Sequence, residues 1–110
     1  MITNTQVLSY YDMMASKVLN GYYECYVADR LTSKGRYIND YKEGYWECYH
    51  LNGNLWYKGY YKDDLSDGYW EYYHENGVLL SRGKYKDDEN IDYWEYYTED
   101  GVLNYQKINI

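Results

Sequence analysis

The chain contains no phenylalanine and no proline, and only two cysteines, Cys25 and Cys48, in 110 residues. Without proline there are no polyproline segments or rigid proline linkers. No apolar run approaches the ~18–20 residues needed to cross a bilayer as a helix. The first residues, MITNTQVLSYYDMM, lack an early Lys or Arg and a long apolar stretch, so they do not read as a secretory signal. With two cysteines and no export signal, a reducing, cytoplasmic setting is expected. Positive charge is also scarce. Eleven Lys and Arg face eighteen Asp and Glu, a net charge of −7. That balance disfavours non-specific attraction to nucleic acid or to an anionic membrane, so direct contact with neither is expected. The imbalance is local. Residues 1–43 carry five charges of each sign, whereas residues 44–110 carry thirteen acidic and six basic groups. A basic partner would be steered to the second part.

Tyrosine is abundant: twenty Tyr and four Trp make 22% of the chain aromatic, which is unlike a disordered segment. These aromatics recur in register. Gly44-Tyr-Trp-Glu-Cys-Tyr-His, Gly68-Tyr-Trp-Glu-Tyr-Tyr-His and Asp92-Tyr-Trp-Glu-Tyr-Tyr-Thr start 24 residues apart, and Gly21-Tyr-Tyr-Glu-Cys-Tyr-Val precedes them by 23. Asn52-Gly53, Asn76-Gly77 and Asp100-Gly101 share one column. Leu55, Leu79 and Leu103 share another, and Gly35, Gly59 and Gly83 a third, which ends in Lys107. Self-similarity at such a period marks a repeat array. The alternating aromatic stretch predicts a strand, Asn-Gly predicts a type I′ turn, and the following residues predict the returning strand. The fold class expected is mainly β. It is a single-layer antiparallel meander of about four 24-residue hairpins, with units 21–43, 44–67, 68–91 and 92–110 joined by polar links. In residues 1–20, Val7, Leu8, Tyr11, Met14, Ala15, Val18 and Leu19 fall at helical spacing. They predict a short amphipathic helix over about 5–19 that caps the first sheet edge.

The unit G-x-W-x-x-Y-x-x-(N/D)-G-x-L-x-x-x-G-x-Y resembles the MORN-repeat variant of YwqK-like antitoxin proteins over residues 21–110. The resemblance implies a twisted antiparallel sheet without catalysis of its own, used for scaffolding or binding, and the antitoxin label implies neutralisation of a toxin. Choline- and glucan-binding hairpin repeats are also Gly-, Trp- and Tyr-rich, and they offer a small-ligand alternative based on aromatic cages.

Alternation along each first strand separates two faces. Trp46, Trp70 and Trp94, with Cys48, Tyr72 and Tyr96, suit the core. The opposite face carries Tyr45, Tyr69 and Tyr93, then Glu47, Glu71 and Glu95, then Tyr49, Tyr73 and Tyr97. These nine are the candidate partner-binding residues, and the carboxylates are expected to form a ladder that anchors a basic protein surface. Cys25 and Cys48 occupy equivalent positions two strands apart, too far for a disulfide. His50 and His74 read as exposed residues beside the turns, about 10 Å apart and unable to share a metal. The acidic links 62–67 and 86–92 lack the spacing of a calcium loop. No P-loop, dinucleotide fingerprint or nucleophile–His pair is present, so neither catalysis nor a cofactor is expected. The function expected is a non-catalytic protein-binding module, an antitoxin-like or viral anti-defence inhibitor. The alternative is a scaffold that self-associates through the open sheet edge, near Asn104–Ile110.

Overall fold

The computed structural model describes residues 5–9, 12 and 17–110. Ten strands form one open sheet: β1 (Thr5–Leu8), β2 (Gly21–Val27), β3 (Arg30–Ile38), β4 (Tyr41–Tyr49), β5 (Leu55–Lys62), β6 (Leu65–Ser66), β7 (Gly68–Tyr73), β8 (Leu79–Lys86), β9 (Glu89–Tyr97) and β10 (Leu103–Asn109). Spatial order follows chain order, with the short β6 pairing β5 beside β7. Every pairing is antiparallel except β1 with β2, which is parallel, so the sheet is mixed.

The N-terminal helix needs correction. Thr5–Leu8 is an edge strand along β2, with Leu8 buried and Val7 exposed, and residues 17–20 are irregular. Strand alternation and the unpaired edge of β2 prevail over the helical spacing there. The rest of the expected helix, residues 10–11 and 13–16, lies outside the described residues.

The turns also differ from expectation. The two-residue type I′ turns are Ala28-Asp29, Asn39-Asp40, Asp63-Asp64 and Asp87-Asp88, each with two positive φ angles, such as 47° and 71° at Asp63-Asp64. What reads in sequence as a polar link is therefore a tight turn, and Lys86 pairs directly with Glu89 across it. The Asn-Gly columns instead close three-residue loops. His50 N–H donates to Asn54 O at 2.8 Å and Gly53 N–H to His50 O at 2.9 Å, with only Gly53 at positive φ. This is a type I turn followed by a left-handed glycine. Asn52 leaves the I′ geometry because its side chain is occupied: Oδ1 accepts the Asn54 N–H, and Nδ2 donates to Glu75 O of the next loop.

Adjacent hairpins are joined at both ends. At the tight turns, Asp40, Asp64 and Asp88 accept the backbone N–H of Leu19, Lys42 and Ser66 through Oδ1. Their own N–H groups donate back to the carbonyls of those residues. At the wide loops, His50 and His74 donate from Nε2 to Tyr73 O and Tyr97 O at 2.8 and 2.9 Å. The histidines are thus half-buried staples between hairpins rather than solvated turn neighbours.

The core is one face of the sheet. Trp46, Trp70 and Trp94 are all but fully buried. Each indole lies flat on a glycine of the preceding strand: Trp46 on Gly35, Trp70 on Gly59 and Trp94 on Gly83. A Cβ on Gly35, Gly59 or Gly83 would sit 2.1–2.2 Å from the nearest ring carbon. Each ring N–H donates to the carbonyl of the residue after that glycine, Arg36, Tyr60 or Lys84, at 3.0–3.1 Å. Burial therefore leaves no orphan donor. Tyr37, Tyr61 and Tyr85 stand edge-on to the same rings at 4.9–5.0 Å. The Trp/Cys face is the core, as the alternation implies. Cys25 is buried and Cys48 half-buried, both as free thiols, with Ser33 between them in register.

The last hairpin departs from this plan at each residue that would receive a further one. Lys107 replaces the glycine opposite Trp94, Thr98 replaces the histidine, and Asp100 replaces the asparagine.

Candidate functional site

The face opposite the indoles is built from side chains that alternate with them. Its centre is a charged ladder running from β2 to β9. Cross-strand pairing places Glu24 beside Lys34, Lys34 beside Glu47, Glu47 beside Lys58, Lys58 beside Glu71, Glu71 beside Arg82 and Arg82 beside Glu95. Every cation thus stands between two carboxylates. Ion pairs close at 3.4 Å for Lys34–Glu47, 3.2 Å for Lys58–Glu71 and 2.7 Å for Arg82–Glu95.

Tyrosines clamp the carboxylates from both sides. Tyr45 and Tyr49 donate their hydroxyls to Glu47 Oε2 and Oε1 at 2.8 and 2.7 Å. Tyr69 and Tyr73 do the same to Glu71 at 3.0 and 2.7 Å. Burial pushes the Glu47 and Glu71 carboxyls up, but the two tyrosine hydroxyls and the neighbouring lysine outweigh it. Both acids end below the ordinary carboxylate range. The hydrogen bond from Arg82 is the main influence holding Glu95 low. In turn, partial burial and the bond to Glu47 push Tyr49 up to about 12, and Tyr45 and Tyr73 rise for the same reasons.

These shifts bound the pH range of full stability. The carboxylates contribute above their unfolded value of about 4.3, and lose that contribution as pH falls through their lower folded values. The tyrosines contribute below their unfolded value of about 10, and lose it as pH rises toward about 12. The urea midpoint is therefore expected to be flat from about pH 5 to 9 and to fall on both sides. A midpoint that rises below pH 4 would contradict the clamped ladder.

All nine sequence-selected residues come together on this face. Tyr45, Tyr69 and Tyr93 are 40–43% exposed, while Tyr49, Tyr73 and Tyr97 are half-buried. The carboxylates, however, do not stand alone. Lys34, Lys58 and Arg82 fill the rungs between them, and their own 24-residue spacing was the signal that sequence reading missed. Tyr60 and Trp56 were missed as well. Tyr60 is 49% exposed and packs beside Tyr45 at 5.5 Å. Trp56 sits at the bulge opposite the Cys48–Tyr49 step, against His50 and Tyr57, and is 45% exposed. The result is two aromatic rails with a nearly neutral ladder between them: Tyr45, Tyr60, Tyr69 and Tyr93 on one side, and Tyr49, Tyr73 and Tyr97 on the other, with Trp56 sharing a groove with Tyr49.

Unengaged acid lies at the wide loops, where Glu75, Glu99 and Asp100 are exposed. Among the described residues, no group of three or more His, Cys, Asp or Glu is arranged to hold a metal ion. No helix among them is long and apolar enough to cross a membrane.

Sheet, staples and open face together define a hairpin-repeat protein. Residues 42–63 and 66–87 match, as two adjacent repeats, the family model of the MORN repeat variant. Such repeats suggest a repeat-type binding module. No curated protein matches the chain.

Proposed function

We propose that the protein is a non-catalytic protein-binding module whose outer face covers a basic surface of a partner protein, as an antitoxin-like or anti-defence inhibitor of YwqK-like type does. The observation that supports this reading is the pair of aromatic rails, one exposed at Tyr45, Tyr60, Tyr69 and Tyr93 and the other half-buried. Tyrosine offers wide contact area with only two side-chain torsions to order, and it carries a hydrogen-bonding hydroxyl. On this face the hydroxyls of Tyr45, Tyr49, Tyr69 and Tyr73 are already held by carboxylates. Preorganisation of this kind lowers the entropic cost of binding.

The ladder carboxylates are engaged internally, so attraction of a basic partner falls to Glu75, Glu99 and Asp100. Division of labour follows: the tyrosines set the dissociation rate and the loop acids set the association rate and its salt dependence. The test is capture from host lysate, followed by kinetics on the captured protein. Replacing Tyr45, Tyr69 and Tyr93 together by Ser should abolish capture. Replacing Glu75 and Glu99 by Gln and Asp100 by Asn should slow association at low salt and flatten its salt dependence. Capture that survives the tyrosine replacements would overturn the proposal.

A further inference from the structure

A repeat array reveals a dedicated site where its columns break. The sharpest break is Trp56, at the bulge of β5. Its equivalents in the other hairpins are Thr32, Leu80 and Asn104, none of them aromatic. A second break adjoins it: Leu51, 80% exposed, stands where the next two hairpins carry Glu75 and Glu99. Both breaks fall in one place. Tyr49, His50, Leu51, Asn52, Trp56 and Glu75 line an open groove of about 600 Å³.

The parts of this groove are chemically distinct. The Trp56 ring leans on His50 at 5.5 Å, tilted by 32°, and on Tyr57 at 5.1 Å, which fixes its orientation while leaving it 45% exposed. The His50 Nε2 proton is committed to Tyr73 O, so this imidazole is a wall and not a free donor. The amides of Asn52 and Asn54 both donate to the Glu75 carbonyl at 2.8 Å, which pins Glu75 at the groove while its side chain is exposed. Glu75 is thus a carboxylate beside a positioned indole, without the flanking tyrosine clamps of Glu47 and Glu71.

We infer that this groove seats one arginine side chain of the partner protein, with the guanidinium stacked on Trp56 and forked onto the Glu75 carboxylate. The inference deepens the binding-module reading and rests on it for the partner's basic character. Three alternatives fit less well. A quaternary ammonium cannot hydrogen-bond and relies on an aromatic cage around it, whereas this groove is open. A lysine ammonium is a compact, strongly hydrated charge that leaves the flat indole face unused. A purely apolar side chain would leave Glu75 desolvated without a partner. A planar, weakly hydrated guanidinium uses both the ring face and the carboxylate.

The test needs no partner. The 15N-labelled protein is titrated with N-acetyl-arginine amide while the four indole N–H signals are followed. The Trp56 signal should shift saturably, with the three buried indoles unmoved. N-acetyl-lysine amide and tetramethylammonium should require about tenfold higher concentration for the same shift. Glu75→Gln should weaken the arginine response at least about threefold. Trp56→Leu, a change already present naturally at Leu80, should abolish the shift of the Asn52 and Glu75 amides while the protein stays folded. An absent Trp56 shift, an equal response to all three cations, or a response indifferent to Glu75→Gln would each overturn the arginine seat. The two readings fail separately. Loss of the arginine response with capture still dependent on Tyr45, Tyr69 and Tyr93 removes the seat alone. Capture indifferent to those tyrosines removes the binding-face reading, whatever arginine amide does.

Discussion

Alanine at Gly59 is expected to cost about 3 kcal/mol, the upper end for overpacking a well-filled site. The glycine has no unusual backbone angle, so the whole effect comes from its neighbour: the added Cβ would fall 2.1 Å from the Trp70 ring. The indole must then lift, losing its hydrogen bond to Tyr60 O and its edge contacts with Tyr61 and Tyr85. Trp70→Ala alone should cost about 3–5 kcal/mol. The informative variant combines the two. With the indole gone, Gly59→Ala should cost nothing further, or recover about 0.5 kcal/mol from reduced backbone freedom. Urea unfolding of the two single variants and the double variant measures this coupling. Additive effects would show that glycine and tryptophan do not stack. Lys107 is the natural control: where no following indole covers the column, a long side chain is accepted.

Replacing Glu47 and Glu71 together by Gln should destabilise the protein by about 2–3 kcal/mol, after allowance for partial solvent exposure. Each change weakens two tyrosine hydrogen bonds and removes the counter-charge from a flanking lysine. If these carboxylates were instead free anchors for a partner, the same substitutions would leave stability unchanged and reduce affinity alone. Thermal and urea unfolding of the isolated protein distinguish the two outcomes. The same ladder explains how thirteen acids coexist in the second part of the chain. Glu47, Glu71 and Glu95 meet cations, Asp64 and Asp88 accept backbone N–H groups of the preceding hairpin, and Glu75, Glu99 and Asp100 lie exposed at the wide loops.

Residue columns were legible wherever one side chain does one thing. The tryptophan column reads as core because no other role suits a large apolar ring recurring with the period, and alternation alone then selected the nine residues of the outer face. Relationships between columns were harder to read. The glycine column announces itself, but its cause is an indole contributed by the next hairpin. The Lys34, Lys58 and Arg82 column has the same period as the glutamates, yet only the register shows that it falls between them. Turn chemistry was misread because Asn-Gly and Asp-Asp both tolerate positive φ. The choice between them is made by side-chain bonds reaching a neighbouring hairpin. At Thr5–Leu8 the competing signal was too short: four residues cannot establish a period of two against a longer helical pattern, and the open edge of β2 decides.

Lys107, Thr98 and Asp100 bear on self-assembly. A second copy adding its own indole-bearing hairpin to β10 would meet a lysine where a glycine is needed and would lack both donors of the loop staple. Growth of the same repeat across that edge is therefore disfavoured.

The central claim is a division among the indoles: three closed against glycines in the core, and the fourth, Trp56, open in the groove beside the wide loop. Hydrogen exchange of the indole N–H groups tests it directly. Slow exchange at Trp46, Trp70 and Trp94 with rapid exchange at Trp56 is the predicted result. Four indoles exchanging alike, or protection of Trp56 with exposure of any of the others, would contradict it.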